Sequence, residues 1–308
     1  MNPKLEKIVA RIQEVPSLPS TLTGVLQTID CPESTIDEIA REIKKDQSLT
    51  VNVLKIANSA FYGLLGQVST IRQAIVLIGL NELRTIVLGQ SVFRFYAVES
   101  KTDFKRKDLW AHSMVCAFLA KKLAKEAFVA DREGSCMIGG LIHDIGKVVI
   151  DRYFPDEFVN IIRMVQSEGV SFATAERELL GYTHYQIGAT LLKKWNFPPE
   201  LVSCVLFHHA PWRDTEFPHI SATVFHANVL SKVMRFPSYS KDKTCGSTWL
   251  KEPAQRRFLE KNGLPVHKAD LKAFLSTAYS RIVSETSSVV GAMDIPSNTH
   301  PEQQAYAL

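Results

Sequence analysis

A histidine and an aspartate stand side by side, His143 and Asp144, inside Gly139-Gly140-Leu141-Ile142-His143-Asp144-Ile145-Gly146-Lys147. Adjacent imidazole and carboxylate groups on one helical turn can both reach a single cation. Other histidines stand where they could complete a coordination shell: His112 before the pair, then His184, then the doublet His208-His209. Each lies in a segment with its own apolar helical pattern, so a bundle would bring them together. Imidazole nitrogen with carboxylate oxygen suits Zn, Mn, Fe or Ni better than Ca or Mg. The expected cofactor is therefore a divalent transition metal, as one ion or two.

Asp144 is the natural bridge in such a site, because each of its oxygens can hold one cation. His112 and His143 would flank a first metal position. His184, His208 and His209 would flank a second. Lys147, one turn past the pair, is placed to neutralise a phosphate. Metal-activated water attacks phosphate esters, so their hydrolysis is the reaction class if the site is competent, with Asp144 and Lys147 as the catalytic candidates. Plainer roles are open to the same residues. His143 could be a hydrogen-bonded core histidine, Asp144 the partner of Lys147, and His184 a helix-start residue. His208 and His209 could end a helix where the dipole favours positive charge. His219, His226, His267 and His300 carry no argument for function.

The elements that must position these groups read as helix after helix. Thr35 with Glu38 forms a capping-box pattern ahead of Ile36, Ile39, Ala40 and Ile43. Ile71, Ala74, Ile75 and Ile78 recur at helical spacing after a Ser69 or Thr70 cap, Gly79 breaks the pattern, and Leu83, Ile86 and Val87 resume it. A helix over 109–128 would hold His112 in its first turn, and one over 135–150 would hold His143 and Asp144 in its middle. Further helices are expected over 156–167, 174–180, from His184 onward, 200–208, 220–234, 253–262 and 268–290. Residues 236–250 read as a loop and the stretch from Asp294 as a loose end. The fold class is all-α, with an N-terminal helical lobe over 1–98, a metal-binding helical lobe over 99–235, and a loop with C-terminal helices over 236–308. The polar segment 98–108 is the expected joint.

Composition narrows the function classes. With 45% hydrophobic and 22% charged residues, the 308-residue chain is an ordinary globular one. A formal charge of +4, with no basic stripe in the N-terminal lobe, argues against DNA as a partner. The five cysteines are odd in number, scattered and without a C-x-x-C, as expected in a reducing compartment. The start lacks an apolar signal core, and the most apolar stretch, 71–88, is interrupted by charge. A cytoplasmic protein without a membrane partner is the expectation.

These residues also carry a resemblance. The C-terminal lobe resembles the HD superfamily of metal-dependent phosphohydrolases. The stretch from about Pro16 to about Lys232 looks like the HDOD domain, a regulatory relative of the HD-GYP phosphodiesterases. The likeness rests on Leu18-Pro19, Ile43-Lys44-Lys45-Asp46-Gln47-Ser48-Leu49-Thr50, Leu54 through Gly63, Ile71-Arg72-Gln73-Ala74-Ile75 and Ile78-Gly79-Leu80. It continues through Leu109-Trp110-Ala111-His112-Ser113, Gly140 through Lys147, Glu176 through His184, Gly188-Ala189, Trp195, Pro198 and His208-His209. It implies an all-helical fold and bacterial signal transduction through protein partners, with a nucleotide or phosphate ligand as a further expectation. A homodimer through the C-terminal helices is an open alternative. By resemblance, His112, His143 and Asp144 match the first metal position, and Asp144, His184, His208 and His209 the second. The remaining ligand of active relatives is an aspartate; here its best match is Asn228, a neutral amide and a weak ligand. No Gly-Tyr-Pro signature follows the His-Asp pair. A regulatory protein is the leading expectation, with a phosphohydrolase acting on a nucleotide or cyclic dinucleotide as the rival.

Overall fold

A computed structural model describes residues 15, 18–58, 67–96, 100, 102, 104–127, 129–234, 236–239, 252–267 and 270–278. Among the described residues every α-helical or 3₁₀ element is a helix and no strand forms. The chain divides into two compact units, Pro16–Ala97 and the remainder.

The smaller unit contains α1 (Ser20–Asp30), α2 (Ile36–Lys44), α3 (Gln47–Ala57), α4 (Ile71–Ile78) and α5 (Leu80–Tyr96). Thr35 and Glu38 form the reciprocal capping box, and Thr70 with Gln73 forms a second. Gly79 ends α4 at φ +80°, a left-handed conformation that a Cβ disfavours. The apolar positions of the sequence pattern meet in one core: Leu22, Val25, Ile39, Ile43, Ile71, Ile75 and Leu83 are almost wholly buried. Burial of this stripe is the main force holding five short helices together.

The larger unit begins its helices with α6 (Arg106–Glu126), followed by α7 (Glu133–Ile142), α8 (Ile145–Tyr153), α9 (Pro155–Glu168), α10 (Phe172–Leu179), α11 (His184–Lys194), α12 (Pro199–Phe207) and α13 (Pro218–Val233). Then come α14 (Pro253–Lys261) and a last helix, 270–278. Its core joins α6, α7, α13 and the last two helices through Leu119, Leu123, Cys136, Val224, Leu230, Leu259, Leu271 and Leu275. Asp151 anchors the segment before α6: it accepts hydrogen bonds from the Ser100 and Thr102 hydroxyls and pairs with Arg106 at 2.6 Å.

The helix expected over 135–150 is two helices, not one. The chain bends at His143 and Asp144, which end α7 and open α8. Apolar residues on both sides of the bend face one core, so the periodic pattern runs across it without a visible break. His112 also lies deeper than expected, in the second turn, because α6 starts at Arg106. Of the expected loop over 236–250, residues 240–250 lie outside the described residues. So do 268–269 and 279–290 of the last expected helix, and the tail from Asp294.

Glycines set two approaches that the site depends on. A Cβ on Gly140 would meet the Cys116 carbonyl oxygen at 2.7 Å and the Ala117 backbone at 2.8 Å, so α7 lies directly on α6. A Cβ on Gly146 would meet the His184 carbonyl oxygen at 1.8 Å, so α8 lies directly on the start of α11.

Candidate metal centre

Two helix ends deliver four of the residues by the same local device. His143 is the residue after α7 and His208 the residue after α12. Carbonyls in a last helical turn lack intrahelical partners. The His143 Nδ1–H donates to the Gly140 carbonyl at 2.8 Å, and the His208 Nδ1–H to the Val205 carbonyl at 2.8 Å. A carbonyl can only accept, so this contact fixes the tautomer and leaves each Nε2 as a bare acceptor. The chain then turns, carrying the following residue, Asp144 or His209, to the same place.

His112 and His184 are oriented in the same sense by other partners. His112 Nδ1 donates to the Phe236 carbonyl at 2.7 Å, with Ser231 Oγ at 3.1 Å. His184 Nδ1 donates to Glu176 Oε2 at 2.7 Å, and the His184 backbone N–H donates to the same oxygen at 2.8 Å. Imidazole held through Nδ1 by a carbonyl or carboxylate is the arrangement that supports a metal ligand.

The Nε2 atoms converge on the Asp144 carboxylate. His112 and His143 present their Nε2 atoms 3.2 Å apart, at 3.9 and 3.6 Å from Asp144 Oδ2. His184 Nε2 lies 3.2 Å from Asp144 Oδ1 and 3.1 Å from His209 Nε2, and His208 Nε2 lies 3.7 Å from Oδ1. Asp144 Oδ1 and His208 Nε2 are buried without a hydrogen-bond partner. Buried acceptors facing one another with no donor between them are costly. A cation between them removes that cost, so the donor set fits a metal on the geometry of the protein alone.

Asp144, His184, His208 and His209 form one group whose ligand atoms lie within 4.8 Å of one another, and His112, Cys116 and His143 form another. The structure thus brings together the six side chains named from the sequence as candidate ligands, His112 and His143 on one side of Asp144 and His184, His208 and His209 on the other. Lys147 is there as well, 2.6 Å from Asp144 Oδ2, 2.9 Å from Ser238 Oγ and 5.0 Å from the Phe172 ring. It is committed to the aspartate, not free for a phosphate. Asn228 is buried on α13 with its Oδ1 unpartnered. Four groups have roles the sequence reading did not assign: Cys116, Glu176, Ser231 and the 236–238 segment. Cys116 offered a signal, four residues after His112 and hence on the same helix face, and Glu176 stood in a stretch that carries the resemblance.

Burial dominates the electrostatics. It pushes the His112 imidazole down to about 4 against the pull of Asp144, and holds His143, His208 and His209 below the ordinary value. Burial would also push the Asp144 carboxyl up, but the Lys147 ammonium and its histidine neighbours hold it well below the usual carboxylate range. For His184 burial acts downward too, yet the Glu176 carboxylate outweighs it and raises the imidazole. Away from the cluster, burial takes His226 down to about 3, and His219 is exposed on the surface.

A pH dependence follows for metal-free protein. An imidazole that is neutral when folded but titrates near 6.5 when unfolded stabilises the fold fully above pH 6.5 and loses that contribution as pH falls toward the folded value. His112 and His226 do this down to about 4 and about 3. His184 works in the opposite sense, favouring the fold below pH 6.5, but it stands alone against five lowered histidines. Denaturation with a chelator present is expected to show the unfolding free energy falling between pH 6.5 and 4, with roughly 3 kcal/mol from His112. A flat profile over that window would contradict the buried neutral assignment.

The HDOD domain profile matches residues 15–211. An HDOD domain protein with unknown function from Geobacter sulfurreducens is 25% identical and superposes with a TM-score of 0.74, covering 92% of this chain and 98% of its own. A proposed phosphohydrolase from Shewanella amazonensis is 24% identical with a TM-score of 0.70, covering 91% and 97%. A proposed signal transduction protein from Marinobacter aquaeolei is 20% identical with a TM-score of 0.72, covering 95% and 66%. An uncharacterized protein of Treponema pallidum is 29% identical over 227 residues, 72% of this chain but 43% of that protein, so the chain spans less than half its relative's length. No helix among the described residues is long and apolar enough to cross a membrane. Since the profile match runs through the N-terminal helices and reaches every histidine of the cluster from His112 to His209, the chain belongs to the HDOD domain family.

Proposed function

We propose that the protein is a regulatory module of bacterial signal transduction that binds divalent transition metal through His112, His143, Asp144, His184, His208 and His209 and acts through protein partners. The observation that carries the regulatory reading is enclosure. His112, His143 and His208 are 0% exposed, Asp144 and His184 1%, and Lys147 already neutralises Asp144 from inside the site. Enclosed sites hold ions for structure or sensing, whereas catalytic ones keep an open position for water and substrate. Residues 236–239 reinforce the closure: Phe236 holds His112, Ser238 holds Lys147, and Tyr239 packs on Phe104 and Phe172. Asn228 in place of a carboxylate removes a charge that a pair of cations would draw on.

One observation favours the rival, a phosphohydrolase acting on a nucleotide or cyclic dinucleotide. His209 keeps partial exposure beside Tyr185, with ring centroids 5.6 Å apart, so the second position has a route to solvent. A cation held there would supply Lewis acidity toward a phosphoryl oxygen.

Two measurements test these readings, the first the metal site that both require and the second the choice between them. Protein purified without chelators is expected to carry at least one transition-metal ion per chain, with His208→Ala depleting it; metal-free protein would count against the site. Incubation with cyclic dinucleotides and nucleotide phosphates in the presence of Mn or Fe is expected to release no product. Turnover would transfer the assignment to the phosphohydrolase.

A further inference from the structure

The first metal position is short of negative charge. His112 and His143 are neutral donors, and Asp144 Oδ2, the oxygen on that side, is already bound by Lys147 at 2.6 Å. Asn228 adds no charge. The remaining donor is a sulfur. Cys116 stands one turn after His112 on α6 and is completely buried. Its Sγ lies 3.6 Å from His112 Nε2 and 3.3 Å from Ser231 Oγ, and within 4.8 Å of the donor nitrogen of His143.

These separations are those of a coordination polyhedron. With metal–nitrogen bonds of about 2.05 Å and metal–sulfur bonds of about 2.3 Å, the edges of a tetrahedron come to about 3.4 Å between two nitrogens and about 3.6 Å between nitrogen and sulfur. The structure has 3.2 Å and 3.6 Å for those edges. Asp144 Oδ2, at 3.6 Å from His143 Nε2 and 3.9 Å from His112 Nε2, is the candidate for the fourth corner, on edges somewhat longer than the ideal ones.

We propose that Cys116 is a metal ligand, completing with His112, His143 and Asp144 a tetrahedral first position that selects thiophilic cations such as zinc over manganese. The thiolate supplies the missing negative charge, and softness supplies the selectivity. The thiol gives up its proton to solvent when the cation arrives. The proposal rests on the metal-binding reading above, and it adds a ligand and a preference that the histidines alone do not dictate.

The test is spectroscopic and needs no turnover. The full chain is stripped with a chelator and loaded with Co(II). The expected result is visible ligand-field bands together with a sulfur-to-cobalt charge-transfer band in the near ultraviolet. Cys116→Ser should remove the charge-transfer band and leave visible bands from the second position. Cys204→Ser, at a buried thiol beside Gly139 and away from the cluster, should leave the spectrum unchanged. Visible bands without charge transfer would overturn the Cys116 assignment while the metal-binding reading stands. A charge-transfer band surviving in Cys116→Ser would overturn it too. Failure to bind cobalt at all would sink the metal-binding reading itself. Should Cys116→Ser not fold, X-ray absorption of the zinc-loaded wild type decides: one sulfur at about 2.3 Å supports the proposal, and a shell of nitrogen and oxygen alone rejects it.

Discussion

Asp144→Ala is expected to remove metal and to destabilise the fold by about 3–5 kcal/mol, the cost of leaving one member of a buried ion pair without the other. The abandoned member is Lys147. It is 4% exposed, and beyond Asp144 it touches only the Ser238 hydroxyl and the Phe172 ring among the contacts described. Four imidazole Nε2 atoms that face the carboxylate, those of His112, His143, His184 and His208, also lose the group they surround. Urea denaturation with parallel metal analysis reads both effects. Asp144→Ala with Lys147→Met separates them: the double variant should recover most of the lost stability, because no uncompensated charge remains, and still hold no metal. If Asp144→Ala alone matched wild type in denaturation, the ion pair would not have the structural weight assigned to it.

Gly146→Ala is expected to be as severe, from one methyl group. The new Cβ would lie 1.8 Å from the His184 carbonyl oxygen and 2.6 Å from its carbonyl carbon. These are backbone atoms, so no rotamer change relieves the clash, and α8 and α11 must move apart. Overpacking in cores typically costs about 1–3 kcal/mol, and a clash with main chain at this depth belongs at or above that upper end. The displaced residue is His184 itself, so metal at the second position should fall with stability. Gly188→Ala meets the Val205 side chain at 3.1 Å and the Ile145 side chain and Gly146 backbone nitrogen at 3.3 Å; no contact falls under 3.0 Å, so it should cost less. Thermal unfolding of the two variants side by side tests the ranking; equal losses would contradict it.

The helical class and the convergence of six ligands were legible because both rest on local signals. Thr35-x-x-Glu38 specifies a helix start, and Ile71, Ala74, Ile75 and Ile78 specify a buried face, whatever surrounds them. The division of the ligands followed from their order in the chain and from the two oxygens of Asp144. The break at His143-Asp144 was hidden because Ile142 and Ile145 keep helical spacing across it. Of the two roles the sequence left open to Lys147, phosphate neutraliser or partner of Asp144, the structure has the second: a lysine three residues from an aspartate at a helix start can turn inward, and the surrounding packing decides that it does. Glu176 lies eight residues before His184, across a turn closed by Gly181 at φ +81°; both stand in a stretch that carries the resemblance, but helical spacing alone does not pair them. Phe236 contributes a carbonyl, which every residue has, so its side chain carries no sign of the task.

That last point bears on how the centre tolerates change. Three of the four oriented rings, His112, His143 and His208, lean on peptide oxygens of Phe236, Gly140 and Val205. Genetic drift can alter the side chains at such positions but cannot delete the oxygens. His184, alone of the four, has no carbonyl partner at Nδ1 and depends on a replaceable support, the carboxylate of Glu176. Among these four rings, heritable adjustment of orientation through a carboxylate has one dial, and it acts on the second position, the one nearer the solvent-touched edge.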